Sequence, residues 1–325
     1  MTPVTNPTGP HSQKFASNPQ LERFTGSFVG IVTPFHDDGS INYDRLQALI
    51  DFQAANGTKG INFLAIGGEG SAVSRPEREE FLRITSQFDR SGMTFVYACI
   101  GNSTADVCTM VDDVAKAGGD AAMIMVPPNI APSDRDSEIY FEEIANRSAI
   151  PLGIFNNPAR LITDLQVPTV ERLLTLDKIV FYKEGSSQTG KVIELLTKPH
   201  DACIFADDVT DPDTLVGAWA MGADGIFNIS ANIIPQALSR LATPWQNIED
   251  VASFRALICD VLPIIRYLCG RRQEPSGLFI LRLRRTRCGS GFRSRRWSCA
   301  SAATTRDRRD YARRAWNGTG PGRRE

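Results

Sequence analysis

An alternation of two kinds of segment constrains the fold of this 325-residue chain more than any single motif does. Between Phe28 and about Thr243, a short apolar run is followed by a longer amphipathic stretch, and this pair recurs every 20 to 35 residues or so. Short apolar runs are typical of buried parallel strands, and amphipathic stretches are typical of helices that cover a sheet. Eight such units predict a (β/α)8 TIM barrel rather than an open doubly wound sheet.

The predicted elements follow directly from this pattern, and they divide the chain into four parts. We predict an N-terminal arm at 1–24, the barrel at 25–245, a C-terminal helical segment at 246–270 and an arginine-rich tail at 271–325. The predicted strands are Phe28–Phe35, Gly60–Ile66, Thr94–Ile100, Ala121–Val126, Leu152–Asn156, Ile179–Glu184, Ala202–Ala206 and Gly225–Ser230. The predicted helices are 43–56, 76–90, 103–118, 136–147, 168–176, 188–198, 211–221, 233–242 and 248–269.

Composition excludes several classes of protein. The chain is 42% hydrophobic and 22% charged, which is ordinary for a globular protein. No apolar run approaches the ~18 residues of a membrane span, and the polar, proline-containing segment 1–24 has no signal-peptide core, so we expect a mobile arm and no membrane partner. Seven scattered cysteines without a CxxC pair indicate reduced thiols, a cytoplasmic location and no zinc site.

The carboxyl ends of the strands form one face of a TIM barrel, and catalytic residues lie there. The sequence places acids on this face, but their spacing is not typical of a metal centre, and we expect no cofactor. The segments that meet at this face are Thr33–Phe35, Gly67–Gly70, Gly101–Asn102, Pro127–Asn129, Asn156–Arg160, Lys183–Glu184, Asp207–Asp208 and Asn228–Asn232.

Lys183 is the candidate nucleophile because it ends the apolar run Lys178–Glu184. Burying an ammonium group without a partner is unfavourable and favours the neutral amine. A neutral amine is the form that attacks a carbonyl group. The alternative is a lysine at a strand end whose ammonium group reaches solvent.

Gly67 and Gly68 are candidates for binding an anion. A glycine-rich turn presents backbone N–H groups, which would suit a small carboxylate beside a nucleophilic lysine. Arg160 is a candidate for a second anion-binding residue, since a planar guanidinium forms two parallel hydrogen bonds to one carboxylate. The alternatives are a purely structural turn and a surface arginine.

Five motifs occur in order along the chain: Gly30–Phe35, Gly67–Glu69, Phe155–Arg160, Lys183–Glu184 and Gly225–Pro235. At these spacings the sequence is similar to the dihydrodipicolinate synthase / N-acetylneuraminate lyase family of Schiff-base aldolases over about residues 26–270. The resemblance implies a TIM barrel in which Lys183 forms an imine with a 2-keto acid, usually pyruvate. It also implies that Gly67 and Gly68 hold the carboxylate, that Arg160 contacts a second substrate, and that the chain forms a tetramer or dimer.

The sequence departs from this family at the positions that carry its proton relay. Phe155 stands where the family has a catalytic tyrosine, and Ile66 and Gly67 replace its two hydroxyl residues. Pro128-Asn129 replaces an aromatic pair. We therefore predict a divergent aldolase in which Phe155 lies in the substrate site and bound water or substrate groups carry protons. Two alternatives stay open, a 2-keto-3-deoxy sugar acid dehydratase and a catalytically impaired barrel that binds keto acids.

The tail has a different composition from the rest of the chain. Residues 271–325 contain 16 arginines, no lysine and four acids, a net charge of +12, whereas residues 1–270 carry −13. An arm that binds nucleic acid would explain the arginines. The absence of lysine and the missing helical period favour a GC-rich gene read in a shifted frame, so we expect no nucleic-acid partner.

We predict that one of the other two reading frames encodes amphipathic helices beyond codon ~275, because family members continue with helices after the barrel. Sequencing the gene and translating all three frames checks this. Two alternative frames without a helical period would reject the frameshift, and salt-dependent DNA binding by the tail would then support the arm.

Overall fold

A computed structural model describes residues 10–186, 188–208 and 212–269 of the chain. The predicted arginine-rich tail at 271–325 lies outside the described residues, as do residues 1–9. The described ranges hold eight strands, and all of their pairings are parallel. They are β1 (Gly26–Gly30), β2 (Gly60–Phe63), β3 (Thr94–Cys99), β4 (Ala121–Ile124), β5 (Leu152–Asn156), β6 (Ile179–Glu184), β7 (Cys203–Asp207) and β8 (Gly225–Asn228).

The strands pair in chain order, and β8 returns to pair with β1, so the sheet closes into a barrel. This confirms the predicted (β/α)8 TIM barrel. Ten α-helices lie in the described ranges: α1 (Pro10–Ser17), α2 (Tyr43–Ala55), α3 (Arg75–Thr85), α4 (Thr104–Lys116), α5 (Asp134–Arg147), α6 (Val167–Leu173), α7 (Thr189–Leu196), α8 (Pro212–Ala220), α9 (Pro235–Leu241) and α10 (Ile248–Cys269).

Helix α3 begins where the sequence signals predict. Ser74 and Glu77 form a capping box, in which the Ser74 backbone N–H and hydroxyl donate to the Glu77 carboxylate at 2.9 and 2.6 Å. Pro76 fits the first turn because the missing proline N–H would have no helical partner there. The helix ends at Thr85, five residues before the predicted end.

The first strand is shorter than the predicted Phe28–Phe35 and begins two residues earlier. After Gly30 the chain leaves the barrel ladder, and Phe35 pairs only with Ile41 in an isolated antiparallel bridge. Ile31 and Phe35 are nevertheless buried. The apolar run therefore indicates which residues are buried, and these continue beyond the strand into the loop that follows it.

Four phenylalanine rings fill the lower interior of the barrel. Their ring centroids lie 5.1–6.0 Å apart, and each ring is fully buried. Glycines opposite them provide the space: a Cβ atom on Gly153 would lie 1.9 Å from the Phe181 ring, and one on Gly60 would lie 2.1 Å from the Phe28 ring. This phenylalanine layer consists of Phe28, Phe181, Phe205 and Phe227, and it forms an apolar floor under the strand ends.

The predicted mobile arm is wrong for residues 14–24, which pack on the amino-terminal end of the barrel. Leu21 and Phe24 are 1% exposed, and the Phe24 ring lies 5.6 Å from that of Phe181. Lys14 is 3% exposed; its ammonium group lies 2.6 Å from the Asp224 carboxylate and donates to the Ala202 carbonyl at 3.1 Å. Proline content suggested an arm, but the apolar and charged anchors decide the packing.

Within the described ranges, no helix combines the length and apolar character needed to cross a bilayer. The thiols of Cys99, Cys108 and Cys203 are free and buried, and that of Cys259 is free and exposed.

We predict that Lys14→Ala lowers the free energy of unfolding by about 3–5 kcal/mol, because it leaves the buried Asp224 carboxylate without its counter-charge. Urea unfolding followed by circular dichroism measures this. Arg75→Ala is the matched control: it breaks the exposed Arg75–Glu79 pair and should cost about 1 kcal/mol at most. Equal losses in the two variants would show that Lys14 does not anchor the N-terminal segment.

Candidate active site

Lys183 points into the barrel, directly above the phenylalanine layer. Side chains alternate between the two faces of a strand, so Phe181 and Lys183 face inward while Tyr182 and Glu184 face the helices. Lys183 is 4% exposed, and its ammonium nitrogen lies 4.2 Å from the centroid of the Phe155 ring and 4.9 Å from that of Phe227. The alternative of a lysine that reaches solvent is therefore wrong. Both aromatic faces stabilise a positive charge at this nitrogen.

A carboxylate accompanies this lysine inside the barrel. The Lys183 Nζ atom lies 3.1 Å from Oδ1 of Asp207, and both side chains are buried. The pairing of β6 with β7 produces this contact, since Lys183 aligns with Phe205, two residues before Asp207. The sequence interpretation considered a buried amine without a partner, whereas the structure places the Asp207 carboxylate beside it.

The next residue, Asp208, has a different environment. Its two carboxylate oxygens accept the backbone N–H groups of Ile229 and Ser230, each at 3.0 Å. Complete burial raises the pKa of Asp208, although these hydrogen bonds and the charge of Lys183 oppose the change. Asp208 thus holds the loop after β8 against the end of β7.

A small cavity of about 30 Å³ lies beside Lys183 at the carboxyl ends of the strands. It is far smaller than the pockets of about 300–1,000 Å³ that hold drug-sized molecules. The structure brings three of the predicted site residues, Lys183, Gly67 and Phe155, to this one cavity. The other lining residues are Gly30, Asn62, Ala65, Ile66, Met123, Asn157, Phe227 and Ile229.

Two buried carboxamides in this lining were not predicted as site residues. Asn62 is 1% exposed and Asn157 is 4% exposed. Within the described part of the chain, neither side-chain oxygen has a hydrogen-bond partner. A buried acceptor without a partner costs about 1–3 kcal/mol, which a donor on a bound ligand would offset.

The glycine-rich turn beside this cavity packs very closely against neighbouring backbone atoms. A Cβ atom on Gly68 would lie 2.4 Å from the Ile31 carbonyl oxygen, and one on Gly70 would lie 1.7 Å from that of Leu64. Gly67 lines the cavity, whereas Gly68 packs behind it, where its carbonyl accepts the Thr33 hydroxyl at 2.6 Å. The turn is thus both a structural element and one wall of the site.

Arg160 lies apart from the other predicted site residues. Its side chain is exposed and is absent from the cavity lining, although its backbone N–H donates to the Asn157 carbonyl at 2.9 Å. The Arg160 guanidinium therefore does not line the space beside Lys183.

A polar network on the outer face of β5 and β6 fixes the two strand ends. The Asn156 amide nitrogen donates to Glu184 at 3.0 Å and to Asp164 at 2.8 Å. The Tyr182 hydroxyl donates to Glu184 at 2.6 Å, and the Lys191 ammonium lies 2.6 Å from Asp164. Burial raises the pKa of Tyr182 well above its ordinary value, and the negative charge of Glu184 adds to the effect. Tyr182 therefore stays protonated and faces away from Lys183.

The lining of the cavity contains no hydroxyl group, as far as the described residues extend. They also hold no group of three or more histidine, cysteine, aspartate or glutamate side chains that could bind a metal ion. Of the polar groups that the sequence interpretation missed, Asn62 had a signal, because it interrupts the apolar run Gly60–Ile66. Asp207 was placed at the correct face, but only the barrel register brings it to Lys183.

Comparison with known proteins identifies the family. A model of the dihydrodipicolinate synthetase family matches residues 23–277. This chain belongs to that family. The 4-hydroxy-tetrahydrodipicolinate synthase of Ralstonia nicotianae is 30% identical over 249 residues, which cover 76% of this chain and 83% of that protein. The synthase of Aromatoleum aromaticum is 32% identical over 219 residues, which cover 67% of this chain and 74% of that protein.

Solved structures share the barrel at lower identity. The dihydrodipicolinate synthase of Aquifex aeolicus has a TM-score of 0.71 and 22% identity, over 91% of this chain and 98% of that one. The chloride-inhibited synthase of Acinetobacter baumannii, solved with pyruvate, has a TM-score of 0.70 and 22% identity, over 90% of this chain and 98% of that one. At this identity the likeness establishes the fold alone.

Proposed function

We propose that this protein is a class I lyase, in which Lys183 forms an imine with a 2-keto acid such as pyruvate. The observation that carries the proposal is the position of Lys183, whose amine borders the cavity at the catalytic face of the barrel. An imine withdraws electrons from the adjacent carbon, so that a carbon–carbon bond is made or broken through an enamine. Membership in the dihydrodipicolinate synthetase family supports the same chemistry.

The surroundings of Lys183 support a reaction that diverges from dihydrodipicolinate synthesis. Phe155 presents an apolar ring to the amine, and Ile66 and Gly67 add no hydroxyl. A phenol relay of the family type therefore has no counterpart in the cavity lining. In this proposal Gly67 and Gly68 hold the keto-acid carboxylate, Phe155 packs against the substrate, and Arg160 contacts a second substrate at the outer edge.

A second candidate function is the dehydration of a 2-keto-3-deoxy sugar acid. It shares the Lys183 imine and differs in the bond that breaks. The unpaired oxygens of Asn62 and Asn157 favour it, because hydroxyl groups of such a substrate would donate to them. We also infer a cytoplasmic enzyme and, by family resemblance, a homo-oligomer.

We predict that incubation with pyruvate and borohydride yields a covalent adduct on Lys183, which peptide mass spectrometry locates. Reduction fixes the imine as a stable secondary amine. Lys14 and Lys191 provide a control within the chain, since both are buried and ion-paired but do not line the cavity. Lys183→Ala should abolish the adduct.

Three results are informative. An adduct confined to Lys183 supports the lyase. Modification of all three buried lysines to the same extent would indicate nonspecific reaction. A folded protein without any adduct, from pyruvate or a 2-keto-3-deoxy sugar acid, would reject both enzymatic functions and leave a barrel that only binds keto acids.

We predict that Asn62→Leu weakens the apparent affinity for a 2-keto-3-deoxy sugar acid about tenfold and leaves that for pyruvate unchanged, since one hydrogen bond to a buried group contributes about 1–3 kcal/mol. The concentration dependence of adduct formation measures both affinities. Met123→Leu is the matched control, as it alters an apolar neighbour in the same lining. An equal loss for both acids would show that Asn62 does not recognise hydroxyl groups.

A further inference from the structure

We propose that Asp207 is the acid–base residue of this active site and carries the protons that a tyrosine carries in the family. The proposal rests on the proposed imine at Lys183. It assigns a catalytic role to a residue that contacts the reacting nitrogen, with Oδ1 of Asp207 at 3.1 Å from Lys183 Nζ. A candidate acid or base must lie within hydrogen-bond reach of the proton that it moves, and Asp207 does.

The surroundings of the pair favour proton transfer between its members. The side chains of Lys183 and Asp207 are 5% and 2% exposed, and the Lys183 nitrogen lies 4.2 Å from the centroid of the Phe155 ring. The two groups are in direct contact, so a proton can move between them without an intervening group. One proton transfer thus produces both the nucleophile and the general acid.

Other titratable groups near the end of β6 are committed elsewhere. Tyr182 and Glu184 face the helices and bond to each other at 2.6 Å. Both oxygens of Asp208 accept backbone N–H groups of the loop after β8. Among the described residues that line the cavity, Lys183 is the one titratable side chain, and Asp207 forms an ion pair with it.

In the proposed mechanism, the imine forms through a carbinolamine. The Lys183 ammonium transfers a proton to Asp207, and the amine lone pair forms a bond to the keto carbon while the carbonyl π electrons move to oxygen. That oxygen takes a proton from the newly bonded nitrogen, which gives a neutral carbinolamine. Asp207 then protonates the hydroxyl group, water leaves, and the nitrogen lone pair forms the iminium. Asp207 is again a carboxylate.

The same carboxylate acts in the next step. It removes a proton from the carbon next to the iminium carbon, and the electrons of that C–H bond form the enamine while the iminium becomes a neutral amine nitrogen. The reverse transfer adds a proton to the same carbon. In heavy water, the carboxylic acid proton of Asp207 exchanges with the solvent before this return, so repeated cycles replace the methyl protons of pyruvate by deuterium, and the exchange reports on Asp207 without a second substrate.

The experiment follows deuterium entry into the methyl group of pyruvate by proton NMR, with imine trapping by borohydride measured in parallel. Asp207→Asn keeps the shape of the side chain but cannot carry a proton. We expect it to slow exchange about 10²–10⁴-fold, the usual contribution of a positioned acid–base group. Exchange at the wild-type rate in folded Asp207→Asn protein would overturn the proposal.

Two further variants separate catalysis from folding. Asp207→Glu keeps the charge and the ion pair but moves the carboxylate by one methylene, and we expect exchange to fall at least tenfold. Phe155→Tyr/Asp207→Asn places a phenol beside the amine, and we expect exchange to recover at least tenfold over Asp207→Asn. Wild-type exchange in the glutamate variant, or no recovery in the double variant, would count against Asp207 as the carrier.

Asp224→Asn is the matched control, because it breaks another buried lysine–aspartate pair at the opposite end of the barrel. We expect it to lower the unfolding midpoint without changing exchange by the folded protein; an equal slowing of exchange would assign Asp207 a structural role. If wild-type protein gives neither adduct nor exchange, the imine itself is rejected. If it gives both, and Asp207→Asn matches it, the imine stands and the role of Asp207 fails.

Discussion

The alternation of side chains along a closed parallel barrel is the constraint on which this site depends. Closure joins β8 to β1, so each strand has an inner and an outer face. On β6 this puts Phe181 in the apolar floor and Lys183 one layer above it, while Tyr182 and Glu184 join the outer polar network. A register shift of one residue would exchange the nucleophile for a glutamate. The outer contacts of Asn156 with Glu184 join the ends of β5 and β6, and they keep Phe155 level with Lys183.

Two buried lysine–aspartate pairs serve opposite ends of the same barrel. Lys14 and Asp224 join the N-terminal helix to the amino-terminal ends of the strands, where charge pairing can only hold segments together. Lys183 and Asp207 lie at the carboxyl ends beside a cavity, where a ligand can reach the amine. The chemical groups are the same, and they differ in location: one pair anchors the N-terminal segment, and the other lies at the strand ends where TIM-barrel active sites are found.

The sequence predicts the barrel well because eight repeated units leave few alternative topologies. It also points to Lys183, Gly67 and Phe155, which the structure brings to one cavity, because Lys183 and Phe155 lie near the ends of strands and Gly67 lies in the turn after β2. The sequence does not predict side-chain contacts that depend on how neighbouring strands are aligned in three dimensions. Asp207 and Lys183 are far apart in the chain, and only the pairing of β6 with β7 brings them together. Proline content suggested a mobile arm, but Leu21 and Phe24 show that a few apolar residues suffice to dock a segment whose composition is polar.

In the proposed active site, the phenylalanine at position 155 changes which neighbouring groups can exchange a proton with the Lys183 amine. A tyrosine beside a lysine can move protons without adding charge, and a phenylalanine leaves that task to another group while removing water from the same space. Two phenylalanine faces lie within 5 Å of the Lys183 nitrogen, and the Asp207 carboxylate is at contact distance. In the mechanism that we propose, Phe155 and this buried carboxylate belong together, because the proton moves between the members of an ion pair instead of through a chain of hydroxyl groups.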